Sequence, residues 1–159
     1  METSTPKVAL RPLQEDDLEL LLAWRNDQDI TRFLPSHPRN IVWEQHYGWW
    51  TSRKETRYDW IIVVYGEGRP RRVGIVHYDQ DTGEMGALVG EKWLWGLGIA
   101  RDALALALVQ LHPSLFVWAV IHPDNLGSKK AFEAVGFQLK GVGRMGQGLY
   151  VLRGTGDKA

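Results

Sequence analysis

Residues 84–111 read EMGALVGEKWLWGLGIARDALALALVQL. Glu84–Val89 is a strand, and a helix opens after Gly98 and runs to about Leu111. Two apolar stripes cover most of that helix: Ala100, Leu104, Ala107, Leu108 and Leu111 make one, and Ile99, Ala103 and Leu106 the other. A helix apolar all round is expected to be buried. Between strand and helix, Gly96 and Gly98 let the backbone approach a ligand closely. The helix behind them aims free N–H groups and a positive dipole end outward, which suits a phosphate or pyrophosphate. On the glycines alone, a plain turn before a buried helix is an equal alternative.

Strands and helices alternate outward from this junction. Val8–Arg11 is a short strand, and Gln14–Arg25 is a helix with Leu18, Leu21, Leu22 and Arg25 on one side and Glu15, Asp16 and Asp17 in its first turn. Asp27–Asn40, with Pro35 and Pro38, reads as a loop, and Val42–Ser52 as an aromatic-rich helix. Trp60–Tyr65 and Arg72–Tyr78 are strands around the turn Gly66–Pro70, and Gln80–Gly83 turns into the strand at Glu84. Phe116–Ile121 has no polar face and belongs at the centre of a sheet. Pro123-Asp124-Asn125 caps a helix to Val135, and Phe137–Val142 with Gly148–Leu152 closes as a hairpin. The expected fold is α+β in three layers: a mixed, largely antiparallel twisted sheet of six to seven strands with helices on both faces. One domain spans residues 1–159, with an ordered core at 8–152 and loose ends at Met1–Lys7 and Gly154–Ala159.

Composition narrows the function. Lys plus Arg and Asp plus Glu both number 19, so the basic excess of a nucleic-acid binder is missing. Cysteine is absent, which excludes disulfides, thiolate metal sites and a Cys nucleophile. His37, His77, His112 and His122 lack metal-ligand spacing, so no metal is expected. Neither the start of the chain nor its longest apolar stretch, Ala103–Val109, suggests export or a membrane span, and the expected location is cytoplasmic. Eight tryptophans fill a core or line a pocket. The Gly96 loop lacks the Lys-Ser/Thr of a P-loop, and Gly141-x-Gly143-x-x-Gly146 precedes a strand rather than a helix, so neither is a nucleotide fingerprint.

The spacing then becomes specific. Trp95-x-x-Gly98-x-Ala100 resembles the Gln/Arg-x-x-Gly-x-Gly/Ala signature of the GNAT superfamily of acyl-CoA-dependent N-acyltransferases. Asn125-x-x-Ser128, Phe132 and Gly136-Phe137 resemble that family's Asn-x-x-Ala/Ser…Tyr…Gly-Phe ending, in the right order and one strand later. The resemblance implies acetyl-CoA as co-substrate, lying where the strands at Glu84 and Phe116 splay. Its pyrophosphate falls to the backbone of Trp95, Gly96, Leu97, Gly98, Ile99 and Ala100, and its pantetheine arm to Asn125, Ser128 and Phe132. A backbone N–H among Leu88, Val89 and Gly90 takes the carbonyl oxygen, and an amine attacks directly.

Two positions depart from the family pattern. Trp95 replaces Gln/Arg but keeps the backbone donors, and Phe132 replaces the Tyr that protonates the thiolate, leaving Ser128 or a water. Glu84 is the candidate base, with Asp81 and Glu91 as rivals. For the acceptor, Trp24-Arg25-Asn26 and His46-x-x-Trp49 resemble the amino-sugar branch of the pseudaminic-acid pathway, which acetylates a 4-amino sugar on UDP. There Arg25 meets a phosphate, Trp49, Trp43 or Trp50 stacks on a ring, and Asn26 and His46 complete the pocket. The same region also suits ribosomal-protein N-terminal acetyltransferases, with a peptide N-terminus as acceptor. A non-catalytic acyl-CoA-binding module and a homodimer stay open.

Overall fold

The computed structural model describes residues 6–34, 38, 40–66 and 68–153. Met1–Thr5, Pro35, His37, Glu67 and Gly154–Ala159, which the sequence reading placed in termini, loop and turn, lie outside the described residues. β-Branched and aromatic runs make the first sheet: β1 (Lys7–Pro12), β2 (Arg57–Tyr65), β3 (Arg71–Asp79) and β4 (Met85–Val89), antiparallel in that order. β2 begins three residues before the expected Trp60, because Arg57 and Asp59 alternate with Tyr58 and Trp60 on a paired strand.

The single expected sheet is in fact two. β5 (Val117–Ile121), β7 (Gly148–Arg153) and β6 (Gln138–Val142) form a second antiparallel sheet in the order β5-β7-β6. The two sheets touch through one parallel bridge, Glu84 to Trp118. That end is pinned by side chains as well. The Trp118 amide donates to the Gly83 carbonyl (3.1 Å) and its indole N–H to the Thr82 carbonyl (2.8 Å), while the Tyr78 hydroxyl donates to the Phe116 carbonyl (2.8 Å). Gly83 sits at φ +81° with Phe116 pressed against it, and a Cβ there would lie 2.7 Å from the Phe116 carbonyl oxygen. β5 thus lies between β7 and the end of β4, the central place its apolar sequence requires.

Helices cover both faces. α1 (Leu18–Asn26) and α3 (Trp43–Arg53) lie over one face of the first sheet, where Leu21, Trp24 and Ile75 pack with Trp49 and Leu88. The segment read as a plain loop contains a helical turn, α2 (Gln28–Thr31), because the Asp27 carboxylate accepts from the Asp29 amide and caps it. The other face carries the main core, in which α4 (Ile99–Leu108) and α5 (Leu126–Ala134) meet Trp60, Ile62, Val76, Tyr78 and Met85. α4 is not buried all round and ends three residues early, in a turn to Leu111. It lies on the outside of the sheet, so Ile99, Ala103, Leu104 and Ala107 are buried while Leu106 and Val109 face solvent.

Asp17 anchors β1 to the rest. Its carboxylate is 1% exposed and accepts from Arg11 at 2.8 Å on each oxygen, from Arg72 at 3.1 Å and from the Gln14 amide at 2.8 Å. Burial pushes its pKa up, but the bonds from Arg11, Gln14 and Arg72 outweigh burial and leave it below the usual value. Asp17→Ala strips the shared partner from two partly exposed arginines and is expected to lower the unfolding free energy by about 1–3 kcal/mol in urea denaturation. Because the folded pKa is depressed, this stabilisation is present above the unfolded carboxylate value and disappears as pH falls through the folded one.

Candidate active site at the parting of two sheets

β4 runs straight past its pinned end, and alternation decides which of its backbone groups are available. The Gly90 amide donates to the Val73 carbonyl (2.7 Å), and the Asp79 amide donates to the Glu84 carbonyl (2.9 Å). Both even-numbered residues therefore face β3, and by the antiparallel pattern so do Gly86 and Leu88. Ala87 and Val89 point the other way, into the gap before β5. The reading that Leu88 or Gly90 offers a free amide is corrected here, since both belong to the β3 ladder, and Gly90 is also covered by the Trp24 indole, which a Cβ would meet at 2.3 Å. Of the three residues named for this role, Val89 has the amide turned to the gap.

The loop after β4 behaves as its glycines require. Gly96 and Gly98 adopt φ +85° and +81°, a region that costs other residues about 1–2 kcal/mol. Trp95 is half exposed, and its indole N–H donates to the Val89 carbonyl (2.9 Å), so it fastens the loop to β4 rather than reaching outward. Leu97 is exposed and Ile99, the first residue of α4, is buried. The first helical bond of α4 runs from the Asp102 amide to the Gly98 carbonyl (3.0 Å). Among the described residues, the amides of Ile99, Ala100 and Arg101 consequently have no backbone acceptor. Space above Gly96 is open.

α5 starts beside the gap. Asn125 is its N-cap, with its side-chain oxygen accepting from the Ser128 amide (3.2 Å). Ser128 is partly buried in the first turn. Phe132 is 3% exposed and edge-on to Phe137 with centroids 4.9 Å apart, so it is a core residue, and a tyrosine there would bury its hydroxyl.

The residues expected to meet the acceptor separate into two kinds. Asn26 clasps the chain entering α3: its amide donates to the Ile41 carbonyl (2.9 Å) and its oxygen accepts from the Ile41 amide (2.8 Å). His46 is fully buried. Its Nε2 lies 2.8 Å from the Leu18 carbonyl and must carry the hydrogen, so Nδ1 accepts from Arg25 at 2.9 Å. Burial, partly offset by the Leu18 carbonyl and reinforced by Arg25, lowers its pKa. With both ring nitrogens bonded internally, His46 holds helices together, while Asn26, clasped to Ile41, keeps one N–H and one lone pair at the surface. Arg25 and Trp49 do form a surface, with the guanidinium 4.3 Å from the indole centroid.

Sequence reasoning missed what stands beneath them. Arg57 reaches the same indole at 5.0 Å and donates to Asp59 at 3.0 Å, and its Nε is buried with no bond among the described residues. Burial, then Arg57 and Arg53, lower the Arg25 pKa, the sign of packed positive charge. The register puts Arg57 opposite Asp79 and Asp59 opposite His77 on β3, and His77 opposite Gly86 on β4. Glu84 follows Asp79 at the pinned end, and burial, then Asp79, raise its pKa against the pull of Arg57. The signal was short: Arg57 and Asp59 alternate just ahead of the apolar run that begins at Trp60.

This geometry is that of a GNAT acetyltransferase domain. A family model described as Acetyltransferase (GNAT) domain matches residues 7–138, and the chain belongs to this family of acyltransferases. It is 38% identical over 149 residues to the uncharacterized protein MJ1062 of Methanocaldococcus jannaschii, covering 91% of this chain and 31% of that protein. The chain thus spans about a third of the length of that curated relative. A crystal structure of a domain from the same organism superposes with a TM-score of 0.85 at 37% identity, covering 92% of this chain and 97% of that one. The fold is also that of spermidine N-acetyltransferase from Vibrio cholerae, solved with CoA and spermine, at a TM-score of 0.72 and 16% identity over 91% and 92% of the two chains. Among the described residues, no group of three or more His, Asp or Glu could hold a metal, and no helix is long and apolar enough to cross a membrane.

His46→Ala separates a structural from a ligand-binding histidine. It leaves the Leu18 carbonyl without its donor and opens a cavity, and thermal unfolding is expected to show a loss of about 2–3 kcal/mol.

Proposed function

We propose that this domain transfers an acetyl group from acetyl-CoA to a primary amine, and that the acceptor is an anionic, nucleotide-linked amino sugar. The backbone fits the co-substrate. Amides of Ala87 and Val89 on the open edge of β4 suit an extended pantetheine and the acyl oxygen, and those of Ile99, Ala100 and Arg101 suit a pyrophosphate. When bound, acetyl-CoA supplies the activated acyl group. The chain supplies position and donors, with Asn125 and Ser128 at the start of α5 bordering the gap. With no cysteine in the chain, direct attack by the amine needs no enzyme-bound acyl group.

The observation that carries the choice of acceptor is the charge on its wall. Arg25 and Arg57 both stand against Trp49, with Arg53 near enough to disfavour the Arg25 charge. An aromatic plane edged by guanidiniums suits a diphosphate and a base or sugar face. The same wall repels polycations such as the spermine bound by the Vibrio enzyme, although that neighbour supports amine acetylation in general. Cytoplasmic acetyl-CoA and a cytoplasmic nucleotide sugar would meet here in one acetyltransferase domain.

Thiol release from acetyl-CoA with UDP-linked 4-amino sugars, ribosomal N-terminal peptides, spermidine and aminoglycosides tests the reading. Turnover is expected only with the amino sugars. Turnover with peptides alone moves the assignment to N-terminal acetylation, and turnover with spermidine contradicts the charge argument. Silence across the panel with acetyl-CoA still bound leaves an acyl-CoA-binding module. Separately, Gly98→Glu forces a side chain onto φ +81° and brings a carboxylate to the anion site. Calorimetry is expected to show acetyl-CoA affinity reduced by at least about 100-fold, roughly 2.7 kcal/mol.

A further inference from the structure

A groove of about 410 Å³ lies at the β1 side of the first sheet, lined by Ala9, Arg11, Val63, Tyr65, Pro70 and Arg72. Register brings these residues together. Val63 on β2 pairs with Ala9 on β1 and with Arg72 on β3, while Arg11 and Tyr65 lie two residues along on the same face. Ala9 and Val63 make an apolar floor, and Tyr65 stands beyond it, 45% exposed. Three strand spacings, about 14 Å, separate β1 from β4, so the groove is apart from the gap.

The rim is positive and already ordered. Arg11 donates through both terminal nitrogens to Asp17, and through Nη1 also to the Pro12 carbonyl (3.2 Å). Arg72 uses only Nη1, on Asp17 and on the Asp16 carbonyl (3.3 Å). The buried Asp17 carboxylate accepts bonds from Arg11 and Arg72 on one oxygen and from Arg11 and the Gln14 amide on the other, which leaves nothing for the groove. Nε of Arg11, and Nε and Nη2 of Arg72, make no hydrogen bond among the described residues, and the two side chains are 35% and 41% exposed. One carboxylate thus holds two guanidiniums that stay charged at any working pH. Lys7, in register with Tyr65, adds a further cation to the same end. Of the nearby acids, Asp16 meets Arg72 through its carbonyl, and Glu15 accepts from the Tyr47 hydroxyl (3.1 Å). Arg71 turns to the other face, over Trp93 at 5.8 Å, and takes no part.

We propose that this groove binds a phosphate monoester, with its oxygens on Arg11 and Arg72 and a flat attached group over Ala9 and Val63 beside Tyr65. The inference does not rest on the function proposed above, and the wall of Arg25 and Arg57 is a different surface. Arg11, Arg72 and Lys7 against the single charge of Asp17 leave an excess that a dianion matches and a carboxylate does not. Planar guanidiniums suit phosphate oxygens, and these two need no further ordering to meet them. Arg11 belongs to β1 and Arg72 to β3, so a ligand across them fastens the first strand to the third beyond what Asp17 achieves. A ligand bound only by the folded chain raises its unfolding temperature.

Calorimetry with phenyl phosphate and with glucose 6-phosphate, at an ionic strength fixed with chloride and without acetyl-CoA, tests the site. Phenyl phosphate is expected to bind wild type with a Kd below about 1 mM, and Arg72→Gln to weaken it at least about tenfold. Ala9→Glu leaves the bonds to Asp17 in place but fills the floor with a carboxylate, and it is expected to abolish binding. Arg25→Gln is expected to change nothing, and loss of binding there moves the ligand to the other wall and overturns the proposal. No heat with wild type, or equal affinity in Arg72→Gln and Ala9→Glu, also overturns it. Glucose 6-phosphate carries the same group on a body that is not flat and is expected to bind more weakly; equal affinity refutes the part given to Tyr65 and the floor. In protein labelled with nitrogen-15 arginine, the Nε–H signal that vanishes in Arg72→Gln is expected to move with phenyl phosphate and to stay still with chloride. A signal indifferent to both refutes the contact.

Discussion

Everything in this domain that concerns a ligand follows from β4 and β5 being joined at one end only. Trp118 ties β5 to Gly83 and Thr82, Tyr78 ties Phe116, and Glu84 pairs with Trp118. Past that point the strands diverge, and β4 is left with amides that have no strand to bond. An exposed edge of this kind is normally a liability. Here it faces a gap bordered by the α4 and α5 N-termini, so the edge becomes a row of fixed donors. No flexible side chain needs to be ordered to make it, and the helix amides beyond Gly98 continue the row.

The sequence disclosed this half well. The order of elements, the glycine loop and the Asn125 cap were legible because each depends on local chemistry: β-branched runs, left-handed glycine positions, a side chain one turn from a free amide. Less legible was anything set by cross-strand register. That Leu88 and Gly90 point toward β3 while Val89 points away depends on pairing with Val73 and Asp79, which no local pattern reveals. The division into two sheets depends on a single bridge. The exposed side of α4 was misread because apolar residues on a short helix do not reveal which of them the sheet reaches.

The wall proposed for the acceptor shows the same limit more sharply. Arg25, Asn26, His46 and Trp49 stand together as the spacing suggested, but proximity is not availability. Two of the four are bound into the helices, and their neighbours Arg57 and Asp59 come from the start of β2, ahead of the strand read from Trp60, and His77 from β3. Arg25, itself bonded to His46, lies against Trp49 with Arg57 beneath, and the wall's character is set by residues from α1, α3 and β2 together. Its net positive charge is invisible in a chain whose formal charges balance.

The clasp between Asn26 and Ile41 has a consequence for how this domain can diversify. It joins the end of α1 to the approach of α3 through two backbone bonds, while His46 bonds to Leu18 and Arg25 one turn away. The helical wall is therefore buttoned to itself and meets the sheet mainly through apolar contacts of Leu21, Trp24 and Trp49. The donor row belongs to a separately fastened part, the sheet edge and α4. Under the function proposed above, residues facing the acceptor can change along α3 without loosening the amides proposed for the acyl donor, so new specificities are open to a lineage that keeps one chemistry.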